Sequence, residues 1–276
     1  ELKTKPTQHS VKTLREIGIQ PDILICRTEH PLEDEHKRKI GLFCNLAREA
    51  VIEARDVSCI YALPDALKKQ GLDELVCRFL NIWSRPADMS DWGRIVKRIT
   101  NPKEEVHIGV IGKYVHLRDA YKSLNEALIH GGIENNCRVV LKHIEAEDVE
   151  DEGPEKFFEG IDGLLIPGGF GNRGSEGKIS SIEHARKNKV PFFGICLGMQ
   201  MAVVEFARNA CGVEGAVSEE FDEKAKHKVI HIMEEQKDLT EKGATMRLGA
   251  YPCVLQEGSI AQKIYGKTEI SERHRH

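Results

Sequence analysis

One cysteine in this sequence is flanked in a way that chemistry, more than packing, calls for. Residues 192–206 read FFGICLGMQMAVVEF, so Cys196 lies in Gly194-Ile195-Cys196-Leu197-Gly198, where an apolar run turns into a helical pattern. This is the G-x-nucleophile-x-G form of a nucleophile elbow, a sharp strand-to-helix turn where bulky neighbours would clash and glycines do not. A thiol so placed sits at a helix N-terminus, where the dipole and unbonded N–H groups favour thiolate. The N–H of Leu197 is then positioned to receive an oxyanion, and the implied chemistry is attack on a carbonyl carbon. Taken alone, a cysteine in an apolar strand is more often a small core residue. Two glycines at the required spacing shift the reading to a nucleophile.

Other segments could serve such a centre. Pro167-Gly168-Gly169-Phe170-Gly171 ends an earlier apolar run and offers flexible backbone for a second oxyanion donor, or a plain β-turn. Near the start, Lys3-Thr4-Lys5-Pro6-Thr7-Gln8 joins two lysines to a proline that pushes Lys5 toward extended backbone. Lys3 and Lys5 then project on one side with period two, an edge that suits a triphosphate or forms an ordinary solvated basic turn. VIGKY at 110–114 lacks the spacing and the hydroxyl residue of a phosphate loop, so it reads as strand end and turn.

The elements that must position these groups follow from periodicity. Ser10 is a candidate N-cap for VKTLREIG, and PDILICR is a short apolar strand. Around 85–104 two prolines and many charges flank one short amphipathic helix, which marks a linker between residues 1–84 and 105–276. The second part alternates strand and helix: VHIGVIG, the helix DAYKSLNEALIHGG ended by its glycines, RVVLKHI, GLLI, the helix ISSIEHARKNK, PFFGI, then GMQMAVVEFARNA. That order predicts an α/β fold with a mostly parallel sheet and helices on both faces. Ligands gather at the carboxyl ends of such strands, where Gly168, Gly169 and Cys196 fall.

Composition narrows the function classes. The net charge is −4 with signs mixed throughout, which argues against a nucleic-acid partner, and no apolar run is long enough to span a membrane. ELKTKPTQ is no signal peptide. The eight cysteines are scattered without a CxxC pair, which predicts free thiols in a cytoplasmic setting and no zinc site.

PGGFGNRG, GICLGMQ, GATMRLG and ERHRH, in that order, resemble the class I glutamine amidotransferase domain of the CTP synthase family, and KTKPTQHSV resembles the nucleotide-binding segment of its synthetase domain. The resemblance implies two α/β domains, the second a flavodoxin-like amidotransferase domain spanning 105–276, and the C-terminal portion of a synthetase domain at 1–84. It implies a glutamine-dependent amidoligase of pyrimidine biosynthesis that makes CTP from UTP, ATP and glutamine. Cys196 would attack the glutamine carboxamide, with the backbone of Gly168, Gly169 and Leu197 holding the oxyanion. Gly169, Leu197, Gly198, Met199 and Gln200 would line the glutamine pocket, with Glu220 on the α-amino group. By its own sequence context Glu220 reads as a solvated surface residue and Met199 as helix packing. Lys3, Thr4, Lys5, Pro6, Thr7, Gln8 and Lys39 would contact UTP or the inhibitor CTP, and Asp56 and Val57 would lie near the ATP adenine. Lys39 alone reads as a surface lysine. The loop NRGSEGK, with Arg173, resembles the region through which GTP activates hydrolysis. Mg2+ is implied as a cofactor, with its ligands outside this chain, and a homotetramer as the assembly.

Two parts of the family pattern have no match in the sequence. The general-base histidine of a His-Pro-Glu segment is not found, and none of the twelve histidines is a candidate to replace it. The phosphate loop and magnesium carboxylates of the synthetase half are likewise absent. The expectation is a fragment of a longer enzyme, ELKTKPTQ resuming mid-domain and RHRH breaking off inside a motif. A non-catalytic nucleotide-binding or assembly module of the same family is the alternative. An unrelated cysteine hydrolase would leave KTKPTQ unexplained.

Overall fold

Pro6 decides where the chain first becomes regular. In the computed structural model, which describes residues 2–113, 120–232 and 249–274, helix α1 spans Lys5–Glu16 with Thr4 as N-cap and Pro6 in its first turn. A proline there loses no hydrogen bond and already has a helical φ. Ser10 is therefore inside the helix and not its N-cap, its hydroxyl donating to the Pro6 carbonyl at 3.1 Å. Lys5 is helical, so the extended edge expected of Lys3 and Lys5 does not form.

The chain divides into two compact units, residues 1–105 with 126–139, and 106–125 with 140–276. In the first, β1 (Leu24–Thr28) pairs in parallel with β2 (Val51–Arg55), Leu24 opposite Val51. Helix α2 (Asp34–Cys44) ends at Asn45, which takes a left-handed conformation. Val11 of α1, Ile40 and Cys44 of α2 and Val51 of β2 form the buried core. Helices α3 (Leu63–Lys68), α4 (Leu72–Phe79) and α5 (Ser90–Thr100) follow, the last being the amphipathic helix read in the charged segment. Between α3 and α4, Gln70 uses its amide like a strand. Its Oε1 accepts from the Glu53 N–H at 2.8 Å and its Nε2 donates to the Glu53 carbonyl at 2.7 Å.

The second unit is built on a sheet of order β4-β3-β5-β6, from β3 (Glu104–Gly112), β4 (Cys137–Glu145), β5 (Gly163–Ile166) and β6 (Phe192–Gly194). The pairs β3–β5 and β5–β6 are parallel, as the strand–helix alternation requires. Helices α6 (Lys122–Asn135), α7 (Ala146–Glu152), α8 (Ser175–Asn188) and α9 (Leu197–Glu205) connect or follow these strands. Ile111, Ile144, Leu164, Ile166, Ile179, Ile182, Leu197, Met201 and Val204 form one core between sheet and helices. The remaining elements are the short parallel pair β7 (Val217–Ser218) and β8 (Lys228–Ile230), the antiparallel pair β9 (Gly249–Val254) and β10 (Glu269–His274), and α10 (Ile260–Tyr265). Helix α6 does not stop at Gly131-Gly132 but runs on to Asn135. Gly132 is there for clearance: a Cβ would come within 2.7 Å of the Val139 side chain and 2.8 Å of the Cys137 carbonyl.

Candidate active site

Strand β6 ends at Gly194 and α9 begins at Leu197, so the chain must reverse over two residues. Cys196 takes the strain, with φ 54° and ψ −106°, a conformation that non-glycine residues rarely adopt and that collects at functional sites. The bend is clamped by three backbone bonds: Ile195 N–H to the Ile166 carbonyl and Gly198 N–H to the Ile195 carbonyl, each 2.9 Å, and Gln200 N–H to the Cys196 carbonyl at 3.1 Å. Both flanking glycines are sterically required. A Cβ on Gly194 would lie 2.5 Å from the Gly198 carbonyl carbon, and one on Gly198 would lie 2.2 Å from the Ile166 oxygen.

The glycine loop after β5 meets this bend. The Cβ position of Gly168 lies 3.5 Å from Cys196 Sγ, and that of Gly169 lies 3.6 Å from Leu197 Cδ2. Cys196 is half-buried, Leu197 and Gly198 are buried, Gln200 is half-buried and Met199 is exposed. No disulfide involves any of the eight cysteines. The structure therefore brings Gly168, Gly169, Cys196 and Leu197 together. Glu220, expected to be solvated from its sequence context, is half-buried, and its Oε1 accepts from the Gly171 N–H at 3.3 Å. Its neighbour Glu219 is held near pKa 2 by the Lys228 ammonium first and the Ile232 N–H second.

Three side chains around the loop were not singled out by sequence reasoning. A cavity of about 140 Å3 is lined by Lys113, Tyr121, Gly168, Gly169, Lys178 and Leu197 among others. Tyr121 closes the end of β3, its hydroxyl donating to the Lys113 carbonyl at 2.7 Å and accepting from the Lys113 N–H at 3.1 Å. Burial pushes the Tyr121 phenol up. Lys113 belongs to VIGKY, which as strand end and turn gives no hint of a side-chain role, and nothing in GSEGK announces that its lysine is buried. A second opening of about 300 Å3 is lined by residues 120–124, Pro167, Gly168 and Ile195. Arg173 forms a bidentate pair with Glu147. That guanidinium in turn holds the Glu147 carboxyl below its usual range.

In the first unit, Thr4 is buried and receives the Gln8 amide on its hydroxyl at 3.1 Å, while Lys3, Lys5, Pro6 and Lys39 are exposed and Thr7 is half-buried. Both lysine-bearing segments belong to one pair of helices, α1 and α2, joined through Val11, Ile40 and Cys44. Val57 lines a cleft of about 500 Å3 with Lys37, Glu53, Arg55, Lys69 and Gln70. Asp56 pairs with Arg27 at 3.4 Å. The cleft also holds Asp65, paired with Lys69 at 2.7 Å, and this mixed set of charges was not foreseen, because its residues come together only when the segments around β2, α2 and α3 pack. Of the motifs quoted above, residues 243–248 of GATMRLG, Tyr114 and the last two residues of ERHRH lie outside the described residues.

With this geometry in hand, comparison with known proteins is informative. Residues 116–276 match the family described as glutamine amidotransferase class-I, and residues 1–82 match the family described as CTP synthase N-terminus. The chain belongs to the class-I glutamine amidotransferase family. It is 60% identical to the CTP synthase of Geobacter sulfurreducens and 58% to that of Geotalea uraniireducens, in both cases over its whole length and 52% of theirs. The CTP synthase of Methanocaldococcus jannaschii is 55% identical over the same shares. The chain thus spans about half the length of the curated relatives it matches. Among solved structures, the Trypanosoma brucei CTPS glutaminase domain with bound acivicin is similar with a TM-score of 0.54 and 39% identity, covering 62% of this chain and 66% of that one.

Proposed function

We propose that this chain carries the glutamine-hydrolysing centre and part of the nucleotide site of a CTP synthase, which uses ATP to aminate UTP with ammonia taken from glutamine. The observation that carries the reading is the strained Cys196 at the start of α9, faced by the Gly168–Gly169 loop. The thiolate adds to the γ-carbon of the glutamine carboxamide, and the N–H groups of Gly169 and Leu197 take the oxygen that becomes negative. Collapse breaks the C–N bond, the leaving nitrogen takes from solvent one proton, matching the one the thiol released, so that ammonia departs, and a γ-glutamyl thioester remains for water to hydrolyse to glutamate. Gly198, Met199 and Gln200 line the substrate, and Glu220 offers a carboxylate to its α-ammonium.

The nucleotide side is assigned to residues 3–8 and Lys39 for UTP or CTP, and to the cleft at Val57, with Asp56, for ATP. The division of labour is 1–84 for the synthetase part, 85–104 as a linker and 105–276 for glutamine hydrolysis. The segment 172–178 is the proposed seat of GTP activation, and the assembly a homotetramer in the cytoplasm. Among the described residues no three His, Cys, Asp or Glu side chains converge as metal ligands, and no helix is long and apolar enough to cross a membrane. Among the described residues no cluster fits a Mg2+ site, so no step is routed through one.

A radiolabelled chloroketone analogue of glutamine tests the centre. It should alkylate Cys196 and spare the other seven cysteines, with glutamine protecting; a different labelled cysteine, or a silent Cys196, overturns the assignment. In the full-length protein, Cys196→Ala should abolish glutamine-dependent CTP formation yet keep the ammonium-dependent reaction. Loss of neither, or failure to form CTP from ammonium and UTP in the unsubstituted protein, sinks the wider reading.

A further inference from the structure

The two lysines behind the glycine loop have no part in the reaction as described. Lys113, just past β3, donates from Nζ to the carbonyls of Phe170 and Gly171 at 3.0 and 3.2 Å. Lys178, in the first turn of α8 and only 2% exposed, donates to the carbonyls of Arg173 and Gly174 at 3.4 and 3.2 Å. A trans peptide sends its N–H opposite to its carbonyl. With the Phe170 carbonyl turned to Lys113, the Gly171 N–H must point away, and it meets Glu220 Oε1 there at 3.3 Å. That peptide is gripped from both sides.

Burying an ammonium is unfavourable, and an apolar side chain of the same length would fill the space around Lys178 without that cost. What an apolar side chain cannot do is orient peptide carbonyls. We infer that Lys113 and Lys178 are positioning residues that fix residues 170–174 and, through them, the adjoining Gly168–Gly169 backbone that faces Cys196. This inference rests on the glutamine-hydrolysing reading and deepens it. Both ammonium groups have lowered pKa values, burial being the first cause in each, and Lys178 is brought down to about 8. The charged groups acting on Lys178 are Lys113 after β3, Glu145 at the end of β4, and Glu147 and Glu150 on α7; Arg173 of the loop acts on Lys113.

The test compares two electrophiles on the 276-residue chain. The glutamine chloroketone needs its carbonyl oxygen stabilised, whereas iodoacetamide reports only on the thiolate. Lys178→Met and Lys113→Met should each slow chloroketone labelling of Cys196 by roughly 10-fold or more, with iodoacetamide labelling changed less than about 2-fold. The ratio of the two rates, in which Cys196 ionisation cancels, should fall above pH 8 in the unsubstituted chain and stay level in Lys178→Arg, whose guanidinium keeps its proton. If both Met variants keep the ratio, or if both reagents slow equally, the positioning role is overturned while the nucleophile stands. If the unsubstituted chain ignores the chloroketone, the nucleophile reading falls and takes the positioning role with it.

Discussion

At Gly198 the backbone leaves no room for a side chain, since a Cβ would sit 2.2 Å from the Ile166 oxygen, a backbone atom that cannot rotate aside. Gly198→Ala should therefore push α9 off β5, destabilising the chain by about 1–3 kcal/mol and removing selective labelling of Cys196; denaturant unfolding and labelling mass spectrometry check the two effects. Lys178 allows a pH prediction with a definite sign. Its folded pKa of about 8 lies below the ordinary 10.5, so between those values the unfolded chain binds more protons and stability rises with pH. Below pH 8 the burial cost is present in full, about 3 kcal/mol at most. Lys178→Met escapes that cost. The stability difference between variant and parent should shift in the parent's favour by up to that amount between pH 7 and pH 10, as urea titrations at several pH values would show; a constant difference would refute it.

Among elements, the packing of α8 on α9 contains one buried charge. Glu205 is 1% exposed and receives Arg186 through Nε and Nη2, with Nη2 at 2.7 Å, while Asn209 adds an amide hydrogen bond at 3.2 Å. Removing the guanidinium leaves a carboxylate stranded in the interior. Arg186→Met should cost about 3–5 kcal/mol, and adding Glu205→Leu should restore much of it because the double variant buries no charge. A thermal-melt cycle on the four proteins decides this, and near-additive losses would contradict it. Elements also show where two local rules compete. A proline discourages helix in the residue before it and encourages helix from its own position. At Lys5-Pro6 the second effect prevails, and Gln8 on the Thr4 hydroxyl supports the early start.

For the molecule as a whole, each compact unit has its own core. Ile40→Ala and Ile166→Ala should each cost about 2–5 kcal/mol, the first raising hydrogen exchange within residues 1–105 and the second within 140–232, in each case leaving the other unit's protection unchanged. Exchange that rises equally in both would refute separate cores. What could be read in advance follows from which forces are local. The Cys196 bend was legible because its steric demand is written in two glycines two positions away on either side. The α/β order was legible because a buried parallel strand needs a continuous apolar run. Lys113, Lys178 and the charged cleft beside Val57 were not legible, since burial of a lysine and the lining of a cleft depend on segments distant in sequence. Gly132 misled for the same reason, its smallness serving clearance against Val139 and Cys137 and not an ending. Gln70 carries a last consequence. By occupying both main-chain groups of Glu53 it closes part of β2's outer rim to any foreign strand. A single amide thus guards against stacking between copies, and a chain bearing Gln70→Ala should remain folded at dilution yet clump sooner when concentrated.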